Sequence, residues 1–365
     1  MYIFCLGNHR DLAVWELRSV LPNVQFQDHP LGLMLSDQDA RDIDFATLQK
    51  RLGGTKEIIW LDNRPFYNWA EVLEQKKEWI LHESGREITI IADGYSASER
   101  QQMLEELKEL FERPVRYRIE KRYLLQERGT VFYRWENEKK ELFFGQLVAQ
   151  QDIAAYGDRD YGKPKRSMIR GMLPPKLAQI MLNGAQVATN ELIWDPFCGT
   201  GTILIEAALL GITNIGSDKD LEAITATEEN IKKLLSVEQQ ALILKVWQQD
   251  ITLPWEQFDA AVNIIVAEGY LGQPQHKKAN SPQELRTFWQ KVEPIYQKFF
   301  LRLLDSSVTK MVIATPIVYT LAGESRLAKR TWQILEHKGW HKTFQSTYVR
   351  AEQIVGREIT CLVRN

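Results

Sequence analysis

The sequence predicts an α/β protein in which an α+β region precedes a domain built on a largely parallel sheet. Three observations carry this. Residues 2–61 alternate as strand, helix, strand, strand, helix, strand. Residues 190–208 read as a buried strand, a glycine turn and a helix. From residue 214 to residue 363 short apolar runs alternate with helical periodicity, the order of a sheet covered by crossover helices.

The glycine turn is the most informative stretch. Residues 192–194 give the short apolar run of an inner parallel strand, Gly199 and Gly201 let the backbone bend sharply beside a ligand, and residues 203–210 continue as helix. Such a strand-turn-helix holds a small molecule at the carboxyl end of a sheet. A phosphate loop would need Gly-Lys-Ser/Thr, and a dinucleotide fingerprint would need a third glycine where Leu204 stands. The segment Asp195-Pro196-Phe197-Cys198-Gly199-Thr200-Gly201 resembles the first motif of the S-adenosylmethionine-dependent methyltransferases. More narrowly, it is similar to that of the THUMP-containing tRNA guanine-N2 methyltransferases, which modify guanosine 10. The resemblance implies a Rossmann-like, seven-stranded methyltransferase domain behind a ferredoxin-like and THUMP region. It also implies S-adenosyl-L-methionine as cofactor, with Asp195, Pro196, Phe197, Gly199, Thr200 and Gly201 in contact with it. A loop for another adenosyl ligand and a purely structural turn are the alternatives.

Length and composition set the frame. At 365 residues the chain has room for about two or three domains, and 44% apolar with 26% charged residues is ordinary for a globular protein. The net charge of -2 makes any nucleic-acid surface a local patch. Cys5, Cys198 and Cys361 lack a C-x-x-C pair and the six histidines lack ligand spacing, which argues for a reducing compartment and against a disulfide framework or a metal site. Cys198 reads as a small buried filler. No apolar stretch reaches membrane-spanning length and no signal-peptide pattern opens the chain, so the cytoplasm is the expected location.

Along the chain, residues 1–62 suggest a ferredoxin-like domain: strands at 2–6, 24–28, 31–35 and 57–61, helices at 12–21 and 45–52, with Pro22 and Gly53-Gly54 where helices stop. Asn63-Arg64-Pro65 reads as a linker. Residues 63–150 then give a helix at 70–83, a strand at 87–92, a helix at 96–112, a strand at 115–119 and a hairpin of 130–135 with 142–148. This is the order the resemblance implies for a THUMP domain, an RNA-binding module. Arg116, Arg118, Lys121 and Arg122 form a tyrosine-flanked basic cluster suited to phosphates, or else a charged strand edge that resists aggregation.

Residues 151–170 read as a basic linker whose Lys163, Lys165, Arg166 and Arg170 are the densest positive run and the preferred RNA-backbone contact. The following Gly171-Met172-Leu173-Pro174-Pro175-Lys176-Leu177-Ala178 closely resembles the segment entering the catalytic domain of the archaeal guanosine-10 enzymes. By that resemblance Met172 and Pro174 lie over the cofactor, and Pro174-Pro175 suits a helix start.

The catalytic domain is read over 171–365. A strand at 214–218 ends in Asp218, placed 19 residues after Gly199 to accept hydrogen bonds from ribose hydroxyls, with Asp220 as competitor. A helix at 221–235 carries Asn230, either a family asparagine or a surface residue. A strand at 242–247 leads to Asp250, which the resemblance assigns to the adenine amine and which also suits a turn cap. The fourth strand ends in Glu268-Gly269-Tyr270-Leu271-Gly272, where the family carries Asp or Asn, two prolines and an aromatic residue. There the acid and the next carbonyl accept the hydrogens of a base amine while the aromatic ring stacks. Glu268, Gly269 and Tyr270 are therefore the catalytic candidates, in a loop expected to be looser without its prolines. A helix at 285–304, a strand at 310–315 stopping at Pro316, a helix at 325–338 and an antiparallel pair at 342–348 and 358–363 complete the sheet. Trp289, Tyr296, Phe299 and Phe300 read as core, and Arg357 as a solvated charge or an RNA contact.

The expected function is methylation of the N2 amine of guanosine in tRNA, at position 10 by resemblance. A DNA amino-methyltransferase and a non-catalytic RNA-binding protein that retains cofactor affinity are the alternatives. The resemblance admits a small activator subunit, as eukaryotic members use, beside the tRNA.

Overall fold

The computed structural model describes residues 1–83, 87–92, 95–109, 116–120, 130–163, 172–188, 190–255, 262–273, 281–320, 323–350 and 353–364. In chain order the elements of the first part are β1 (Tyr2–Leu6), α1 (Arg10–Val20), β2 (Gln27–His29), β3 (Gly32–Leu35), α2 (Phe45–Arg51), β4 (Thr55–Leu61), α3 (Trp69–Glu83), β5 (Glu87–Ala92), α4 (Ala97–Glu109), β6 (Arg116–Glu120), β7 (Thr130–Glu136) and β8 (Leu142–Gln150). Those of the second part are α5 (Ile153–Asp160), α6 (Pro175–Gly184), β9 (Ile193–Asp195), α7 (Thr202–Leu209), β10 (Asn214–Asp218), α8 (Leu221–Leu234), α9 (Val237–Gln240), β11 (Ile243–Gln248), β12 (Ile264–Glu268), α10 (Pro282–Leu304), β13 (Lys310–Thr320), β14 (Gly323–Arg326), α11 (Lys329–Glu336), β15 (Trp340–Tyr348) and β16 (Val355–Arg364).

The chain forms two compact units. The first comprises Met1–Leu6, Asn23–Lys50 and Thr55–Gln151. Its described strands make one eight-stranded sheet in the order β2-β3-β1-β4-β8-β7-β5-β6, so β4 and β8 join the two N-terminal segments edge to edge. Ile88, Ile90, Phe132 and Phe144 on that sheet pack with Val72 and Ile80 of α3 and Met103 and Leu107 of α4. β6 is the edge strand at one end.

The second unit comprises Gly7–Pro22, Arg51–Gly54 and Asp152–Asn365. Helix α1, early in the sequence, thus belongs to it. Trp15 stacks on Phe344 of β15 with centroids 4.1 Å apart, and Leu12 packs with Leu177 and Met181 of α6. The sheet runs β11-β10-β9-β12-β13-β16-β15, with β14 paired to β13. β9 to β13 are mutually parallel and β16 is antiparallel, as expected for the Rossmann-like class. β9 and β12 are buried on both faces apart from the half-buried Glu268, which is why they read as continuous apolar runs. α7 is buried nearly all round for the same reason.

Three elements depart from the expectations. β13 does not stop at Pro316 but continues to Thr320. Pairing with β12 ends at Ala314 and pairing with β14 starts at Ile317, so the missing amide of Pro316 falls between two partners. Residues 153–160, expected as linker, form α5, whose N-cap Asp152 accepts a bond from the amide of Ala155 at 2.8 Å. The helix expected at 325–338 is the shorter α11, because residues 323–326 pair as β14 instead.

Candidate active site at the carboxyl end of the second sheet

β9 lies between β10 and β12, so successive crossovers leave it in opposite directions and open a crevice at its carboxyl end. The glycine turn fills this point. Gly199 and Gly201 have φ of 53° and 83°, and a Cβ on Gly201 would lie 2.9 Å from the Thr227 Cγ2. Both the backbone angle and the space therefore require glycine at 201. The turn is held from two sides. Gly199 donates its amide to Asp218 Oδ2 at 3.0 Å, and Cys198 donates to the Ser217 carbonyl at 2.9 Å. From α8, the Thr227 hydroxyl donates to the Gly199 carbonyl at 2.8 Å and the Asn230 amide to the Thr200 carbonyl at 3.0 Å. Asn230 is fully buried, which corrects the surface alternative.

Asp218 and Asp220 separate by role. Asp218 Oδ1 accepts the Asp220 amide at 3.0 Å, while the Asp220 carboxylate caps α8 through Glu222. Asp250, half-buried after β11, accepts from the Thr252 amide at 2.9 Å and hydroxyl at 2.8 Å, so it serves its own turn while also lining the cavity. Burial pushes its carboxyl up, but the Thr252 bonds and the charges of Lys219 and Lys298 outweigh this and hold it below the usual range. Asp195 is buried, and desolvation pushes its carboxyl well up; the Phe197 amide at 3.1 Å opposes this, and the charges of Asp218 and Glu268 add to it. Burial, with Asp195 and Asp218 beside it, likewise raises the Cys198 thiol, which suits an inert filler.

Glu268 ends β12, and its carboxylate pairs with the guanidinium of Arg357 on β16. Arg357 is 2% exposed and donates through Nη2 to the Met172 carbonyl at 3.3 Å. It is neither solvated nor available to RNA, because β16 runs through the sheet and presents it to an acid. The loop after Glu268 is also tied down, contrary to its expected looseness. Gly269 donates to the Ala314 carbonyl at 3.0 Å, and the buried Tyr296 hydroxyl donates to the Tyr270 carbonyl at 3.1 Å. The ammonium of Lys219 lies 5.5 Å from the centroid of the Tyr270 ring.

A cavity of about 1460 Å³ brings these groups together. Met172, Asp195, Pro196, Phe197, Gly199, Thr200, Asp218 and Asp250 line it with Glu268, Gly269 and Tyr270. Pro174 and Gly201 stand behind it as N-caps of α6 and α7. Lys163 is a correction: it is 5% exposed and its ammonium donates to the Thr202 hydroxyl at 2.5 Å, so it props the start of α7 and does not face an RNA. Nearby, Arg159 of α5 pairs with the buried Glu206 of α7 at 2.7 Å. Arg116 and Arg118 lie on β6; their side chains, and Lys121, Arg122, Lys165, Arg166 and Arg170, fall outside the described residues. No local sequence pattern marks Arg357 as a site residue, because its partner is 89 positions away.

Residues 164–268 match the family model described as UPF0020, RMKL-like, methyltransferase domain. A tRNA (guanine(10)-N2)-dimethyltransferase of Methanothermobacter thermautotrophicus is 47% identical over 62 residues, 17% of this chain and 18% of that protein. The enzyme of the same name from Methanocaldococcus jannaschii is 41% identical over 81 residues, 21% of this chain and 23% of that protein. A tRNA (guanine(10)-N(2))-methyltransferase of Xenopus laevis is 33% identical over 105 residues, 28% and 21% of the two chains. The matches thus span about a fifth of the length of these curated relatives. Among solved structures, TrmN from Thermus thermophilus aligns with a TM-score of 0.54 at 15% identity over 100% of this chain and 99% of that one. A possible methylase from Clostridium difficile 630 aligns with a TM-score of 0.53 at 11% identity over 100% and 97%. At such identity these two speak for the fold alone. Residues 164–268, which end at Glu268, are thus similar to the RMKL-like methyltransferase domain.

Proposed function

We propose that this protein transfers a methyl group from S-adenosyl-L-methionine to the N2 amine of a guanosine in tRNA, with position 10 as the target. The observation that carries the reading is the meeting of the glycine turn, Asp218 and Glu268-Gly269-Tyr270 in one cavity. At about 1460 Å³ the cavity exceeds the roughly 300–1,000 Å³ of a pocket for one drug-sized ligand, which leaves room for a cofactor and an extruded base together. The names of the relatives described above, tRNA (guanine(10)-N2)-methyltransferases and -dimethyltransferases, support the same substrate.

The residues fit such a cofactor. The carboxylates of Asp218 and Glu268 line the cavity on two strands and suit a cation, and the left-handed turn brings backbone close to a ligand. Asp218 would accept from ribose hydroxyls, Asp250 from the adenine amine, and the segment of Met172 would cover the ligand. When bound, S-adenosylmethionine supplies a methyl made electrophilic by its cationic sulfur. The chain's own part is orientation. The Glu268 carboxylate and the Gly269 carbonyl accept the hydrogens of the exocyclic amine and aim its lone pair, and the Tyr270 ring stacks on the base. Glu268 would receive the one proton that the amine gives up on methylation and pass it to solvent.

For residues 1–150 we propose an RNA-binding role, with a ferredoxin-like part over residues 1–62, whose α1 belongs to the second unit, and a THUMP-like part over 63–150, of which the edge strand β6 carries Arg116 and Arg118. Deleting residues 1–150 is a poor test of this division, because it would strip α1 from the methyltransferase unit. Substitutions in the full chain avoid that. Lys163→Ala is expected to destabilise the protein by about 2 kcal/mol through loss of a buried charge-assisted bond, read by urea unfolding. It should leave the salt dependence of tRNA binding unchanged; a shallower salt slope would return Lys163 to the RNA surface.

The reaction itself is tested by incubating unmodified total tRNA with labelled cofactor and separating the nucleosides. N2-methylguanosine or its dimethylated form is the expected product. Labelled adenosine would overturn the base assignment, and an unlabelled digest would favour a binding protein without turnover.

A further inference from the structure

We infer that Arg357 is a positioning residue for the methyl transfer, holding the Glu268 carboxylate in the geometry that receives the base amine. The inference rests on the methyl-transfer reading above. Glu268 is one methylene longer than the acid or amide of the resembling family and so has one more bond to rotate. A guanidinium is a rigid planar fork, and anchored at both ends it removes that freedom. Arg357 is so anchored: Nε engages Glu268 Oε1 and Nη2 engages the Met172 carbonyl at 3.3 Å.

Arg357 sits opposite Pro316 of β13 in register, so its backbone is fixed by the sheet, and its side chain is 3% exposed. Glu268 keeps 16% of its side-chain surface where it lines the cavity. Among the described residues Arg357 engages Oε1 alone, which leaves Oε2 as the acceptor offered to a base. The same arginine ties the acid to the segment of Met172, so cofactor side and base side share one anchor. Electrostatics points the same way. Asp195 on β9 and Tyr296 on α10 face Glu268, with Asp218 on β10 behind Asp195, and these are two further acids and a buried phenol. The cation of Arg357 lies against the Glu268 carboxylate and fixes it in place beside those groups.

The test uses the full chain, unmodified tRNA and labelled cofactor under steady-state conditions, with calorimetric cofactor binding as the check of folding. Arg357→Ala is expected to lower kcat by about 100-fold, while KM for tRNA and cofactor affinity stay within about threefold of wild type. A fall in kcat with KM and cofactor affinity held is a split that a merely structural role would not produce. Arg357→Lys retains the charge without the fork and should lose only about tenfold in kcat. An undisturbed kcat in Arg357→Ala overturns the inference. If that variant binds no cofactor, Arg357→Lys decides, and a wild-type kcat there overturns it equally. A wild-type chain that labels no guanosine overturns the methyl-transfer reading itself, and the inference with it.

Discussion

Gly269→Ala is expected to lower kcat by about 100-fold while cofactor affinity stays within about twofold of wild type. A Cβ at position 269 would lie 2.4 Å from the Tyr296 hydroxyl oxygen and 2.8 Å and 2.9 Å from two of its ring carbons. Tyr296 cannot step aside, because it is fully buried among Phe299, Phe300 and Val292. The loop must yield instead, and with it go the Tyr296 bond to the Tyr270 carbonyl and the aim of Glu268 one residue earlier. The glycine turn, Asp218 and Asp250 lie on other strands and should bind ligand as before. Tyr296→Phe removes the hydroxyl but keeps the ring, at a cost of about 1 kcal/mol for the hydrogen bond. The double variant Gly269→Ala/Tyr296→Phe should recover part of the lost rate, since the closest contact is gone. Steady-state kinetics on tRNA with labelled cofactor reads all three. A Gly269→Ala enzyme with wild-type kcat would mean that the loop is not the part that aims the base.

The same loop illustrates what a sequence can carry. Two prolines can be seen to be missing from it, but the replacements cannot, because they come from Tyr296 on α10, the Ala314 carbonyl on β13 and Arg357 on β16. Each is a long-range contact that no local pattern encodes. The glycine turn was legible because its constraint is local: a left-handed backbone at Gly201 needs glycine, and an acid at the next strand end lies at a spacing that the β-α-β path fixes. Parallel strands were legible from apolar runs for the same kind of reason. β13 misled at Pro316 because the rule that proline stops a strand depends on a partner at that position, and here the partner changes. Lys163 misled because a run of lysine and arginine says nothing of which member turns inward. Helix α1 was legible as a helix, but its packing against α6, more than 150 residues later, was not.

That packing leads to a second result, in the pH dependence of folding. Glu16 of α1 is fully buried, and it accepts from the amides of Gly53 at 2.9 Å and Gly54 at 2.7 Å and from Asn183 Nδ2 of α6 at 2.8 Å. Burial pushes its carboxyl from 4.5 up to about 7, although Asn183, Gly53, Gly54 and the charge of Arg51 all pull it back. Between those two pH values the folded protein holds a proton that the unfolded chain has released. The sign follows: this contribution to stability is fully present below about pH 4.5, falls as pH rises through the window, and is lost above about pH 7. The change corresponds to about 3 kcal/mol. His29, half-buried in the first unit and pushed down to about 4 from 6.5 by burial, acts in the opposite sense over its own window. A difference between two chains therefore isolates Glu16. Glu16→Gln keeps the shape and cannot titrate; it also turns an amide donor toward one of the glycine amides, at a cost of about 1–3 kcal/mol at every pH. Urea unfolding of the second unit should show wild type more stable than Glu16→Gln at pH 5, with the gap closing by about 3 kcal/mol at pH 8. A gap that stays constant across that range would mean that Glu16 keeps an ordinary carboxyl in the fold.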